Sequence, residues 1–162
     1  MKNGNSEITK SAKAPRARAS VDWGVLDELV GFHLRRAQSV VFEKFMKLAK
    51  DERVTPGQFG VLTLIESNPG LNQSGLAGAL GIERSTMVAV INALEDRGLV
   101  RRKESTADRR SYVLSLTKQG KDLLKVANGK VRQNEDMISA VLDDAERETL
   151  VKLLKKISGH PG

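Results

Sequence analysis

The sequence predicts a mainly α-helical chain that carries one small β-hairpin. Three observations predict it. Apolar residues recur at three- and four-residue steps through most of the chain, the period of a helix with one buried face. The stretch "LNQSGLAGALGIERSTMVAVINALEDRGLVRR" holds two short helical patterns separated by Gly81. Beyond Gly98, "LVRRKE" and "SYVLSLT" read as two strands joined by the polar loop "STADRR", with Tyr112, Leu114 and Leu116 alternating with Ser111, Val113 and Ser115 in the second.

The elements follow in order. Residues 1–20 are polar, basic and rich in Ala and Ser, without hydrophobic periodicity, and predict a disordered arm. From Asp22 to Lys50 one long helix is expected, with Leu26, Leu29, Val30, His33, Ala37, Val40, Val41 and Leu48 along its stripe. That stripe is wider than one core needs, so part of it is available to a second chain. Thr55 caps the next helix with Pro56 at its first position, and Asn68-Pro69-Gly70 ends it. Asn72 caps a short helix that runs to Leu80, and Gly81 makes the turn. A second helix spans about Arg84 to Arg97 and closes at Gly98, with Val88, Ile91 and Leu94 expected to pack inward. Two short helices about a tight Gly-containing turn form the helix-turn-helix pattern. After the hairpin, a long helix begins at Thr117. The last helix opens on Asp143 and Glu146 at capping-box spacing and carries Leu150, Leu153, Leu154 and Ile157 on one face.

Composition narrows the functional classes. The 162 residues are 40% hydrophobic and 29% charged, without an apolar run of the roughly 20 residues that span a bilayer. Basic residues near the N-terminus are not followed by an apolar stretch, so a secretory signal is not expected and a cytoplasmic protein is. Without cysteine, disulfides, thiol chemistry and sulfur-ligated zinc are excluded. His33 and His160 are the only histidines, too few for a histidine-rich metal site. No Ser-His-Asp set, phosphate-cradling Gly loop or isolated acid pair stands out, and enzyme activity is not expected.

The net charge of +7 is concentrated in two blocks. Lys2, Lys10, Lys13, Arg16 and Arg18 face only Glu7 in the arm. Arg97, Arg101, Arg102, Lys103, Arg109 and Arg110 outnumber Glu104 and Asp108 around the hairpin. Localised cations of this kind suit a polyanion, most often nucleic acid, although a solvated basic surface has the same composition.

The order of helix, helix, helix-turn-helix, two-stranded wing, long helix and final helix resembles the MarR family of winged-helix transcription regulators. The residues that carry the resemblance are "LAGALGIERSTMVAVINALEDRGLVRR", "DRR" at 108–110 and "LSLTKQG" at 114–120, and the likeness covers about Leu26 to Ile157. It implies a homodimer that binds pseudo-palindromic DNA and is released by a small ligand. With the arm at 1–20 outside it, the likeness also implies one intertwined domain built of dimerisation helices at 21–50 and 118–158 and a winged helix-turn-helix lobe at 51–117. Glu83 departs from the family, which often has Ser there, and gives up the usual cap. Ala89 stands where a polar or basic residue is common.

Within that frame each site residue has an expected role. Arg109 and Arg110 at the hairpin tip can reach the minor groove or its phosphates, where a planar cationic fork fits well. The resemblance implies that Asp108 pairs with an arginine to fix the wing, here Arg97 or Arg110. At the start of the second helix of the pair, Arg84 is placed to contact guanine or else to form a surface ion pair. Ser85 and Thr86 suit phosphates, and Asn92 is also available to DNA. Arg101, Arg102 and Lys103 are expected to touch the backbone and position rather than specify.

Leu150, Leu153, Leu154 and Ile157 are the expected dimer interface, with burial in their own monomer the competing account. The resemblance places an effector site where the first helices and the post-wing helix meet the DNA-binding lobe, and candidates there are Trp23, Phe32, His33, Arg35, Arg36 and Phe59. An aromatic carboxylate or its coenzyme A thioester would want such an arginine and an apolar wall. Core packing is the competing role for His33 and Phe59. No cofactor is expected beyond such an effector, and no membrane partner. The second functional reading is an architectural DNA-binding protein without an effector, for which the basic arm speaks.

Overall fold

The computed structural model describes residues 21–104 and 112–159, so the arm and the hairpin tip with Asp108, Arg109 and Arg110 lie outside the described residues. Helix α1 spans Val30–Leu48, α2 Pro56–Ser67, α3 Gln73–Leu80 and α4 Arg84–Asp96. Strands β1 (Val100–Glu104) and β2 (Tyr112–Leu116) follow, then α5 (Lys118–Ser139) and α6 (Asp144–Ser158).

The helix starts are decided locally. Thr55 Oγ1 accepts from the Gln58 amide and the Gln58 side chain accepts from the Thr55 amide, both at 3.2 Å, a complete capping box for α2. Asn72 Oδ1 accepts from Gly75 N at 2.8 Å to start α3. Asp143 and Glu146 close the same reciprocal pair at α6. Glu83 stands at the N-cap of α4 with extended ψ but makes no side-chain cap bond, as its departure from Ser implies. Gly81 makes the turn between α3 and α4 in the left-handed region, at φ 62°, where a Cβ would be strained.

One expected helix is broken. Between Asp22 and Lys50 the chain first forms a single 3₁₀ turn, Gly24–Glu28, then passes through extended Leu29 before α1 begins. The cause lies in the first residues. Asp22 Oδ1 accepts from Gly24 N at 2.9 Å, and Gly24 takes φ 49°, a local bond and a backbone state that both compete with helix. His33 then ties the turn to α1 through Nε2, 2.8 Å from the Asp27 carbonyl oxygen.

The core sits in the helix-turn-helix lobe. Val61, Leu62 and Ile65 from α2, Leu76 and Ala77 from α3, and Met87, Ile91 and Leu94 from α4 meet Leu99, Val100, Leu114, Leu116 and Leu124. Strand β1 pairs antiparallel with β2 in a register that sets Val100 opposite Leu116 and Glu104 opposite Tyr112. Leu71 and Asn72 add a third segment to this hairpin, through Leu114 N to Leu71 O at 2.9 Å and a bridge from Asn72 to Val113. The wing therefore rests on α3 as well as on α4.

The inward face of α4 differs from the expected one by a residue. Met87, not Val88, packs with Ile91 and Leu94, and Val88 is 40% exposed. Steps of four and three residues from 87 through 91 to 94 keep all three on one side of the helix, whereas 88 lies a full 100° further round.

Helix α1 packs against α5, but much of the molecule's end is not covered by its own chain. Leu26, Leu29 and Val30 are exposed, as are Leu150, Val151, Leu153, Leu154 and Ile157, the last at 60%. The competing account, in which the α6 leucines fill their own monomer's core, does not hold: no residue of α6 is buried.

Candidate nucleic-acid interface

The buried stripe of α4 dictates what its other side presents. With Met87, Ile91 and Leu94 inward, Ser85, Ala89 and Asn92 form a line on the opposite, exposed side at the same four- and three-residue steps. Arg84 and Thr86 flank this line at the start of the helix and are exposed as well. The two helices of the pair, α3 and α4, are locked by the turn at Gly81 and by Ile82 N to Ala77 O at 3.0 Å. The exposed line therefore projects from a rigid support.

The cationic wing strand divides into two kinds of residue. Arg101 and Lys103 are exposed, and Arg101 Nε donates to Ser115 Oγ on β2 at 3.2 Å. Arg102 is half-buried and engaged within the protein. Its Nη1 forms an ion pair with Glu95 of α4, and its own amide donates to Glu95 Oε1 at 3.2 Å. Its Nη2 donates to Asn92 Oδ1 at 2.7 Å and reaches Gln73 Oε1 of α3 at 3.5 Å. Arg102 thus joins the wing to both helices of the helix-turn-helix. Glu95 and Gln73 were not singled out by the sequence. Glu95 lies only seven residues before Arg102 and was in principle findable, while Gln73, 29 residues away, leaves no sequence signal.

Arg97 also turns inward. Its Nη1 donates to Arg53 O at 2.8 Å and its Nη2 to Glu52 O at 3.1 Å, which pins the α1–α2 loop to the end of α4. The expected partner Asp108 lies outside the described residues, as do Arg109 and Arg110.

The candidate effector residues separate into a cluster and two outliers. Trp23 and Phe32 pack with ring centroids 5.5 Å apart, and Phe32 meets the His33 ring edge-on at the same separation. Arg36 lies over both aromatic rings, its Cζ 4.5 Å from the Trp23 centroid and 5.6 Å from that of Phe32. Such cation–π stacking holds the guanidinium in place without using its hydrogen-bond donors. Phe59 is elsewhere, packed on Phe45 at 6.4 Å and against the lobe core. Arg35 is exposed and outside the aromatic stack. A groove of about 450 Å³ runs between α1, α5 and α6, lined by Leu34, Ala37, Val41, Ile138, Leu142 and Leu154 among others, and none of the four cluster residues borders it. His33 lines an adjoining pocket that shares Leu34, Ala37 and Leu150. Among the described residues no helix is long and apolar enough to cross a membrane, and no cluster of His, Cys, Asp and Glu is arranged for a metal.

A helix-turn-helix with an exposed polar line on its second helix and a basic two-stranded wing at its side defines a winged-helix protein of the DNA-binding class. The family model described as "MarR family" matches residues 54–112. A protein of Thauera aromatica that bears the name of a transcriptional regulatory protein for the hcr operon is 46% identical over 79% of this chain and 78% of its own length. The chain belongs to the MarR family. Among solved structures, the transcriptional repressor CouR bound to a 23-mer DNA duplex is 41% identical, with a TM-score of 0.81 over 86% of this chain and 99% of that one. CouR bound to p-coumaroyl-CoA is 39% identical, with a TM-score of 0.80 over 88% of this chain and all of the other.

Proposed function

We propose that this protein is a ligand-responsive transcriptional repressor that binds a pseudo-palindromic operator as a homodimer. The observation that carries the reading is the exposed line of Ser85, Ala89 and Asn92 on α4, set between Arg84 and the wing cations Arg101 and Lys103. A helix so presented enters the major groove, where base edges differ, while flanking cations meet phosphates. Arg84 is the base-contacting candidate at the helix start, with Ser85 and Thr86 on phosphate. Arg109 and Arg110 lie outside the described residues and are proposed, from their place in the sequence alone, as minor-groove or phosphate contacts of the wing. The similarity to CouR, solved on a DNA duplex, supports the assignment.

The dimer is proposed from the uncovered apolar surface. Leu150, Leu153, Leu154 and Ile157 on α6, together with Leu26, Leu29 and Val30, are more than a monomer leaves in water without reason. A second copy covers the same patch on both partners in a two-fold arrangement. Segments 21–50 and 118–158 supply the dimer, and 51–117 the DNA-binding lobe. A two-fold dimer sets the two copies of α4 about one DNA turn, or roughly 34 Å, apart.

For the effector we propose an anionic aromatic molecule, an aromatic carboxylate or its coenzyme A thioester. Arg36, held over Trp23 and Phe32, has no hydrogen-bond acceptor among the described residues and so offers its donors to a carboxylate or phosphate, and His33 borders the adjoining pocket. CouR, solved with p-coumaroyl-CoA, supports this class. The protein acts in the cytoplasm and catalyses nothing.

Binding to operator and random duplexes across a range of salt concentrations tests the DNA assignment. A repressor keeps a large ratio between the two as salt rises, and an architectural protein does not. Trp23 is the only tryptophan in the chain, so its fluorescence reports the effector directly. Aromatic acids and their coenzyme A thioesters are expected to quench it and to release the duplex. Quenching without release would remove the effector from the regulatory scheme.

A further inference from the structure

Asn92 and Arg102 carry an inference that rests on the DNA-binding reading above. Arg102 Nη2 donates to Asn92 Oδ1 at 2.7 Å, and the same guanidinium is held from behind by the Glu95 carboxylate. Arginine has five donors and no acceptor, so the Asn92 carboxamide can meet it only through its oxygen. The Nδ2 amino group is therefore turned away from Arg102, and it has no acceptor among the described residues. It points from the exposed line of α4 that includes Ser85 and Ala89.

A free asparagine reads adenine with both ends of its amide, accepting from N6 and donating to N7. Here the oxygen already serves a cation, which draws on its electron density and adds a positive field beside it. A second donor such as adenine N6 is unwelcome there. The amino group, the end left open, is a donor that suits the acceptors O6 and N7 of guanine, while the cation beside it repels the N6 donor of adenine. We infer that Arg102 is a positioning residue that locks the Asn92 carboxamide, and that Asn92 so held reads guanine rather than adenine in the operator. Arg102 itself is not a phosphate contact in this arrangement. Its ion pair with Glu95 on the same helix keeps lock and reader in one rigid unit.

Selection from a randomised duplex pool tests this, with the full-length wild type, Asn92→Asp and Arg102→Met read side by side. Asn92→Asp is isosteric and still accepts from Arg102, but it replaces the amino donor with an oxygen. The wild type is expected to prefer guanine over adenine about tenfold at one position of each half-site, and Asn92→Asp to lose that preference there alone. Arg102→Met is expected to leave the rest of the motif enriched while letting adenine into that position. Should Arg102→Met fail to fold, Arg102→Lys takes its place, since one ammonium cannot hold Glu95 and Asn92 in the same fork. An adenine preference at the position that Asn92→Asp changes overturns the inference. So does a motif that Asn92→Asp leaves untouched, or an Arg102 variant that weakens every duplex equally. A wild-type pool with no enriched sequence instead overturns the DNA-binding reading, and the inference falls with it.

Discussion

The Arg97 guanidinium donates to the carbonyl oxygen of Arg53 at 2.8 Å, across 44 residues of sequence. Its second nitrogen takes the Glu52 carbonyl at 3.1 Å, so one side chain at the end of α4 holds two consecutive peptide oxygens of the α1–α2 loop. The held loop is under local strain. Arg53 has φ 51°, the only non-glycine residue in the left-handed region among the described residues. The clamp thereby connects α4, the helix proposed to face DNA, to the end of α1, the helix that carries Phe32, His33 and Arg36 of the aromatic cluster.

Removing that clamp has a measurable cost. Arg97→Ala is expected to lower stability by about 1–2 kcal/mol, the scale of charged hydrogen bonds at a partly exposed site. Arg97→Lys retains one of the two bonds and lies between. Denaturant melts of the three proteins decide this, and identical midpoints would show that the loop holds itself.

Gly120 is a second point where the lobe tolerates no change. A Cβ there would lie 2.1 Å from the carbonyl oxygen of Leu99, which is backbone and cannot swing aside. Thr117 draws the start of α5 onto the segment before β1, donating from Oγ1 to Gly98 O at 2.6 Å while accepting from Gly120 N at 3.0 Å. Gly120→Ala is expected to cost roughly 3 kcal/mol or more by overpacking and to separate α5 from the wing. A thermal midpoint within a degree or two of wild type would contradict the close approach.

The α4 N-cap offers a change in the other direction. Glu83 has the extended backbone of a cap residue but no side-chain bond to the helix amides. Glu83→Ser supplies that acceptor and is expected to stabilise the protein by about 0.5–1 kcal/mol, slightly offset by the loss of a negative charge at the helix start. Thermal melting reads the gain, and its absence would mean that DNA-free α4 is already held fully by its core face.

The α6 surface gives the oligomer prediction. Leu153 and Ile157 are 51% and 60% exposed in one chain and lie one turn apart. Leu153→Asp with Ile157→Asp is expected to leave the lobe folded and to produce a monomer in sedimentation. Affinity for a two-half-site duplex then falls toward that for a single half-site. A dimer that survives both substitutions would place the interface elsewhere.

Much of this fold was legible because its determinants are local. The Thr55–Gln58 and Asp143–Glu146 capping pairs, the Asn72 cap and the Gly81 turn each involve residues within four positions of one another. The first helix misled for a related reason. Its apolar period continues through Leu26 and Leu29, but the period cannot register that Asp22 and Gly24 set a competing turn. Val88 reads as inward because 88, 91 and 94 also share a helical face, and only the packing of Met87 chooses between two neighbouring faces. Residue type alone marks the effector candidates in the sequence. Nothing in the type of Phe59 says that it packs on Phe45, away from Trp23, Phe32 and Arg36.

The sequence by itself determined the order of the main helices and strands, most of their ends, the basic character of the wing and the family, since each depends on neighbours along the chain. Only the tertiary structure decided what the arginines do. In the sequence Arg97 reads as a possible partner of Asp108 and Arg102 as a DNA-backbone contact, yet the fold carries loop carbonyls to one and Glu95, Asn92 and Gln73 to the other. A half-buried charge must find such partners, and which groups are in reach is set by how helices and strands meet in space.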